Sequence, residues 1–143
     1  MLAALREAEK AACIGEVPVG AIVVSAEGEI LSRAHNCPVG MCDPTAHAEI
    51  LALREAARRT GNYRLTGCAL VVTIEPCPMC AGAAVAARVA KIIYGAADPK
   101  AGATTTLYNI ASDPRLNHRA EVVSGVLADE CSNLLRDFFR ERR

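Results

Sequence analysis

The sequence predicts an α/β sandwich in three layers, a mixed sheet with helices on both of its faces. Three observations predict it. Segments with apolar residues at helical spacing alternate with short runs of branched apolar residues. The run CALVVTI (68–74) is apolar almost throughout, as a strand covered on both faces should be. A strand–helix–strand order follows over 68–96 and requires a parallel pairing, whereas the two strands before it are close enough in sequence to pair as an antiparallel hairpin.

Residues 2–13 carry Leu2, Leu5, Ala8 and Ala12 at helical intervals. Val17-Pro18-Val19-Gly20 breaks that helix. GAIVVS (20–25) and EILSRAH (29–35) are strands, joined by the turn residues 26–29. Residues 36–45 form a loop with proline and glycine. AHAEILALREAARR (46–59) is helical, and Gly61 is its stop signal. Pro76 ends the strand at 68–74. CPMCAGAAVAARV (77–89) is an alanine-rich helix with Pro78 in its first turn, where a missing N–H costs little. KIIYGA (91–96) is the next strand. Residues 104–111 favour neither pattern, and EVVSGV (121–126) fits a short strand or a turn. ADECSNLLRDFFRERR (128–143) closes the chain as a helix, with Leu134, Leu135, Phe138 and Phe139 on its buried side.

Bulk properties narrow the function classes. A chain of 143 residues fits one domain spanning 1–143 and can bury a core without disulfide staples. An apolar share of 52% excludes a disordered chain. Sixteen basic residues balance sixteen acidic ones, so any nucleic-acid surface must be local. An aromatic share of 3% argues against a broad base-stacking platform. No apolar run approaches the roughly 20 residues of a membrane helix. The stretch MLAALREAEKAACIGE has charges at helical intervals and no signal-peptide core, so no membrane association and a cytoplasmic address are expected. Seven cysteines in a reducing compartment point to metal binding or burial rather than a disulfide framework. Cys13, Cys68 and Cys131 fall where burial is expected.

The chemistry concentrates at two loop-to-helix junctions, DPTAHAEI (43–50) and EPCPMC (75–80). Cys77 and Cys80 are spaced to grip one ion from a single helical turn, and the free N–H groups of that turn favour thiolates. A C-x-x-C alone also fits a redox pair, and a histidine at a helix start also fits a solvated surface. Taken together, His47 supplies the third ligand if both helices start at the same sheet edge, because helical side chains lean toward the N-terminus. Three protein ligands leave a fourth position open, which distinguishes a catalytic zinc from a structural one and suits an activated water. Glu49, two residues beyond His47, is then placed to hydrogen-bond that water and carry protons without ligating the metal. Cys37 and Cys42, beside this site, read as ordinary loop thiols.

H-x-E followed by P-C-x-x-C is the signature of zinc nucleobase deaminases, transfer-RNA enzymes among them. The chain resembles the cytidine deaminase-like superfamily, and within it the tRNA-specific adenosine deaminases of bacteria. The resemblance runs through EVPVGAIVV (16–24), HNCPVGMCDPTAHAEILALR (35–54), NYRL (62–65), TIEPCPMCAGA (73–83), YGAADPKAGA (94–103), LNH (116–118) and GVLADECSNLLRDFFRERR (125–143). It implies a mixed five-stranded sheet between helices, one zinc held by His47, Cys77 and Cys80, and Glu49 as the catalytic proton shuttle. It also implies that Asn36 bonds the adenine ring, that Ala48 offers its backbone to the base, and that Val17 and Ile74 wall the pocket. Asp98, Lys100, Asn117 and His118 would contact RNA near the flipped nucleotide, and Phe139, Arg142 and Arg143 would lie near the anticodon loop. Ordinary structural roles compete: a turn for Asn36, a solvated loop for Lys100, core packing for Phe138 or Phe139, and a solvated face for the tail arginines.

The expected activity is hydrolytic deamination of adenosine to inosine at the wobble position of a tRNA anticodon stem-loop, by a homodimer. Ala97, Pro99 and Thr104–Thr106 depart from the family pattern and bear on the RNA contacts alone. Two other readings stand beside this one. The first is a guanine or other small-molecule nucleobase deaminase of the same fold. The second is a non-catalytic zinc-binding partner subunit, which would have no use for Glu49.

Overall fold

The computed structural model describes residues 1–143 and contains a five-stranded sheet in the order β2-β1-β3-β4-β5. Strand β1 (Gly20–Val24) runs antiparallel to both β2 (Ile30–His35) and β3 (Ala69–Ile74). Strands β3 and β4 (Lys91–Ala96) pair in parallel, as do β4 and β5 (Glu121–Val123). The hairpin and the strand–helix–strand unit expected from the sequence are both present, and residues 121–123 resolve as an edge strand. Because β2 and β3 point the same way, the helices that follow them depart from the same end of the sheet. These are α3 (Ala48–Thr60) and α4 (Pro78–Ala86). Helices α1 (Leu2–Cys13) and α5 (Ala128–Glu141) cover the opposite face.

The period-two alternation of a strand divides the core. Ala21, Val23, Leu70, Val72, Ile92 and Tyr94 face a large cluster that includes Ala52, Leu53, Ala56 and Ala84 of α3 and α4. Ile22 and Val71 turn the other way, against Ala4 of α1. Burial of β3 on both sides explains its continuous apolar run.

The first helix buries a different stripe from the expected one. Its buried positions are Ala4, Glu7, Ala8 and Ala11, while Leu2 is exposed. The reason is the close approach of α1 to β1. A Cβ at Gly20 would overlap the Ala4 carbonyl oxygen and the Ala8 backbone nitrogen and crowd the Glu7 Cβ, so the α1 backbone rests directly on β1 and three of the four residues buried on this face are alanines. Gly20→Ala is therefore expected to destabilise the protein by about 3 kcal/mol, read as a lower urea midpoint at unchanged slope. Wild-type stability in this variant would contradict the tight α1–β1 contact. Glu7 is tolerated inside because Lys10 Nζ donates to it at 2.7 Å and His35 lies 3.6 Å away.

Other boundaries shift for identifiable reasons. The loop at 36–45 contains a single turn, α2 (Pro38–Met41), ended by Cys42 at φ 50. Helix α4 stops at Ala86 rather than 89, because Arg88 turns the chain away at φ 61. Residues 104–111 form turns without a regular element. In α5 the buried residues are Cys131 and Phe138; Leu134 and Leu135 are half-buried, and Phe139 is exposed. Cys68 and Cys131 are buried as expected, but Cys13 is exposed at the end of α1. No helix is long and apolar enough to cross a membrane.

Candidate metal centre and nucleobase pocket

His47 and Cys77 are the residues immediately before α3 and α4, with extended backbones (φ −72, ψ 150 and φ −72, ψ 172). Neither side chain caps its own helix, so both are free to face the space beyond the helix ends. His47 Nδ1 lies 3.7 Å from Cys77 Sγ and 3.6 Å from Cys80 Sγ. The three donor atoms all lie within 4.8 Å of one another, a group able to hold a metal ion. Cys80 is buried and His47 and Cys77 are half-buried, which leaves one side of the group open.

The electrostatics of this group are those of donors competing for protons. Hydrogen bonding from the Cys80 thiol, helped by His47, brings Cys77 down to about 4 against the cost of burial. Cys80 is pushed up by the same hydrogen bond and by burial. His47 is raised, first by its hydrogen bond with Cys77. Two adjacent sulfurs cannot both ionise in a half-buried site unless a cation joins them. Glu49, in the first turn of α3, is 3% exposed, and burial raises its carboxyl to about 7. A carboxyl near neutrality can both take and give a proton.

A cleft of about 330 Å³ opens onto His47, Glu49 and Cys77, with Val17, Asn36 and Ile74 on its walls. Asn36 is buried, and its Oδ1 accepts the Ala48 N–H at 2.8 Å. That bond fixes the carboxamide, so its NH2 group is the part left to meet a ligand. It also engages the Ala48 N–H, which must exchange partners before it can bond a base.

A second cleft of about 1020 Å³ adjoins the first, and the two share Ile74, Asp98, Lys100, Leu135 and Phe139. Its lining also holds Arg136, Arg140, Arg142 and Arg143. Several of these groups have partners within the chain. Asp98 Oδ1 accepts the N–H groups of Lys100 and Ala101 at 2.9 and 3.2 Å. Arg140 pairs with Asp137 at 2.8 Å. The Arg142 guanidinium sits 3.5 Å over the Phe138 ring and donates to the Phe138 carbonyl at 3.3 Å. Lys100 and Arg143 are exposed. Asn117 and His118 are not brought to either cleft. His118 Nε2 donates to the Val89 carbonyl at 2.7 Å, and the Asn117 carbonyl accepts from Arg88 at 3.2 Å. Val89 lies where β4 begins, at the opposite end of the sheet from the metal group.

One buried carboxylate beside the site escaped the sequence reading. Glu75 is 1% exposed and lies between the pocket wall residue Ile74 and the ligand candidate Cys77. Burial pushes its carboxyl up, but hydrogen bonds outweigh it: the Thr106 hydroxyl and the N–H groups of Thr106, Asp98 and Thr105 bring it down to about 2. In sequence, a charge after an apolar strand marks only the strand's end. Its partners lie 23 to 31 residues further on, with no local pattern to announce them.

A histidine and two cysteines gathered at paired helix starts, with a buried glutamate two residues past the histidine, define a nucleobase deaminase site. Comparison with known proteins narrows that class. The chain belongs to the MafB19-like deaminase family, whose model matches residues 1–143. It is 52% identical over 143 residues to the tRNA-specific adenosine deaminase of Bacillus subtilis, covering 100% of this chain and 88% of that one. It is 51% identical over 140 residues to the enzyme of the same name from Aquifex aeolicus, covering 98% and 91%. Among solved structures, one from work on A-to-I editing by tRNA:A34 deaminases superposes with a TM-score of 0.90 at 41% identity, covering 94% of this chain and 97% of that one. The guanine deaminase of Nitrosomonas europaea superposes at 0.78 with 25% identity, covering 94% and 80%. The mixed five-stranded sheet between helices is thus the deaminase fold.

Proposed function

We propose that the protein is a zinc-dependent hydrolase that deaminates adenosine to inosine at the wobble position of a tRNA anticodon loop. The observation that carries this reading is the His47–Cys77–Cys80 group beside a buried Glu49, in a chain about half identical to tRNA-specific adenosine deaminases. The residues fit zinc. With Zn–N near 2.0–2.1 Å and Zn–S near 2.3 Å, a tetrahedral ion separates its nitrogen and sulfur ligands by about 3.6 Å. The corresponding separations here are 3.7 and 3.6 Å. Zinc bound there supplies Lewis acidity that lowers the pKa of water toward neutrality.

The chain's own residues do the rest. Val17 and Ile74 hold the flat base, and the Asn36 NH2 group donates to a ring nitrogen. Glu49 takes a proton from the attacking water as its oxygen bonds to C6 of adenine. It returns that proton to N1, then carries the second to the exocyclic amine. The C6–N bond breaks, ammonia leaves, and the hypoxanthine ring remains. A base in the smaller cleft requires the nucleotide to be splayed from its strand, which an anticodon loop permits at modest cost. Flanking phosphates then run along the larger cleft, where Lys100 and Arg143 are exposed. A homodimer working in the cytoplasm is part of this reading. Asn117 and His118, remote from the clefts of their own chain, would meet RNA only across such an assembly or along an extended stem.

The test is to offer an anticodon stem-loop, free adenosine and free guanine side by side, then sequence the RNA for A-to-I change. Activity on a free base with none on RNA sinks the tRNA assignment. Cys80 holds its proton in the metal-free site and must release it to become a ligand. Zinc affinity should therefore rise with pH, by up to about tenfold per unit for each proton displaced. Chelator competition at about pH 6 and about pH 8 measures it, and a flat profile would contradict the protonated resting state.

A further inference from the structure

The 98–106 loop is wrapped around a single carboxylate. Glu75 Oε1 accepts the N–H groups of Thr104, Thr105 and Thr106 at 3.2, 2.8 and 2.9 Å, and the Thr104 hydroxyl at 3.2 Å. Oε2 accepts the Asp98 N–H at 3.2 Å and the Thr106 hydroxyl in a short bond. No lysine, arginine or histidine pairs with Glu75. Its charge is met entirely by donors of this one loop, an anion nest turned inward. A Cβ at Gly102 would strike the carboxylate, so the loop is folded against it without slack. The strand exit makes two further ties: the Glu75 N–H donates to Ala96 at 2.8 Å, and Pro76 accepts the Ala103 N–H at 2.8 Å.

We propose that Glu75 is a positioning residue for substrate: it sets the 98–106 loop so that Asp98 and Lys100 stand where the two clefts meet, and thereby sets affinity for RNA. The inference rests on the tRNA reading above. Its physical basis is placement. The strand exit that bears Cys77 toward the metal group bears Glu75 toward the loop, so both sides of the substrate are referenced to one short segment. Asp98, whose N–H is held by Glu75, in turn fixes the N–H groups of Lys100 and Ala101. Thr104–Thr106, where the chain departs from the family pattern, supply five of the six donors.

The test compares Glu75→Gln, Thr106→Val and Thr106→Ser with wild type on an anticodon stem-loop. The measurements are kcat, KM, zinc content and amide exchange in 98–106. A glutamine keeps one acceptor oxygen but places an NH2 group against the Asp98 N–H, leaving that donor unpaired. E75Q is expected to raise KM about tenfold with kcat nearly held, zinc retained and exchange in 98–106 accelerated. T106V should move KM the same way by less, and T106S, which keeps the hydroxyl, should restore it. Wild-type KM in E75Q, or a loss confined to kcat, overturns the proposal. If E75Q fails to fold or to load zinc, T106V decides: a raised KM supports the proposal and an unchanged one overturns it. Wild-type protein inert on the stem-loop sinks the tRNA reading, and this inference with it, whereas active wild type with unaltered variants sinks only the role of Glu75.

Discussion

Glu49→Gln is expected to lose about 10²–10⁴-fold in deamination rate while holding zinc as tightly as wild type. The carboxamide is the same size and fills the same buried place, so neither the fold nor the donor group should change. What disappears is the exchangeable proton. Glu49 is 3% exposed and raised to about 7 by burial, a carboxyl able to accept from water and donate to the ring near neutral pH. Burial also shields it from bulk water that would otherwise trade protons in its place. Metal analysis and an ammonia-release assay on the same preparation separate the two effects. Near-wild-type turnover in E49Q would falsify the proton-carrier role. The same assay on wild type addresses the non-catalytic zinc module, since such a protein releases no ammonia.

Cys80→Ser should fail in the opposite order, losing the metal first and the activity as a consequence. Cys80 is fully buried, and its sulfur lies 3.6 Å from His47 Nδ1. A serine hydroxyl stays protonated at neutral pH and is a poor ligand for zinc, so two donors remain where three stood. Zinc content should drop from about one per chain toward none, with deamination at background. Because metal binds the folded state, wild-type Tm should fall on chelation while C80S should show no shift. A C80S protein that keeps its zinc and its rate would place the metal elsewhere and dissolve the site described here. Together the two variants divide the chemistry from the cradle that supports it.

The choice between RNA and a free nucleobase does not come from the fold. A guanine deaminase shares it at a TM-score of 0.78. The 52% identity to an enzyme named for tRNA, against 25% to that guanine deaminase, favours RNA. So does the second cleft. A pocket for a free purine needs walls around the base alone, whereas here the small cleft opens into a larger one carrying Lys100 and Arg143.

Much of this was legible in the sequence because it is written in short-range pattern. CALVVTI announced a strand covered on both faces, Gly61 a helix end, and H-x-E with P-C-x-x-C a donor set. These signals are local because backbone periodicity and ligand spacing are local. Burial was less legible where contacts are long-range. Leu2 follows helical spacing but stays in solvent, because the close approach of α1 to Gly20 turns the face bearing Ala4, Glu7, Ala8 and Ala11 inward instead. Phe139 reads as core beside Phe138, yet the turn of α5 sends one ring inward and the other to the cleft.

The alternation of elements, the hairpin and the parallel unit follow from the sequence alone, which also points to His47, Cys77 and Cys80 as a candidate donor group with Glu49 beside it. The tertiary structure alone decided that His47 meets sulfurs 30 and 33 residues away. It alone decided that Asn36 spends its oxygen on Ala48, that Glu75 gathers a loop, and that Asn117 and His118 lie at the far end of the sheet. The division follows from how each feature is held. Periodicity depends on neighbours along the chain, but a buried polar group takes whichever partner the folded chain brings to it. Which partner that is depends on how the sheet is ordered and how the loops close.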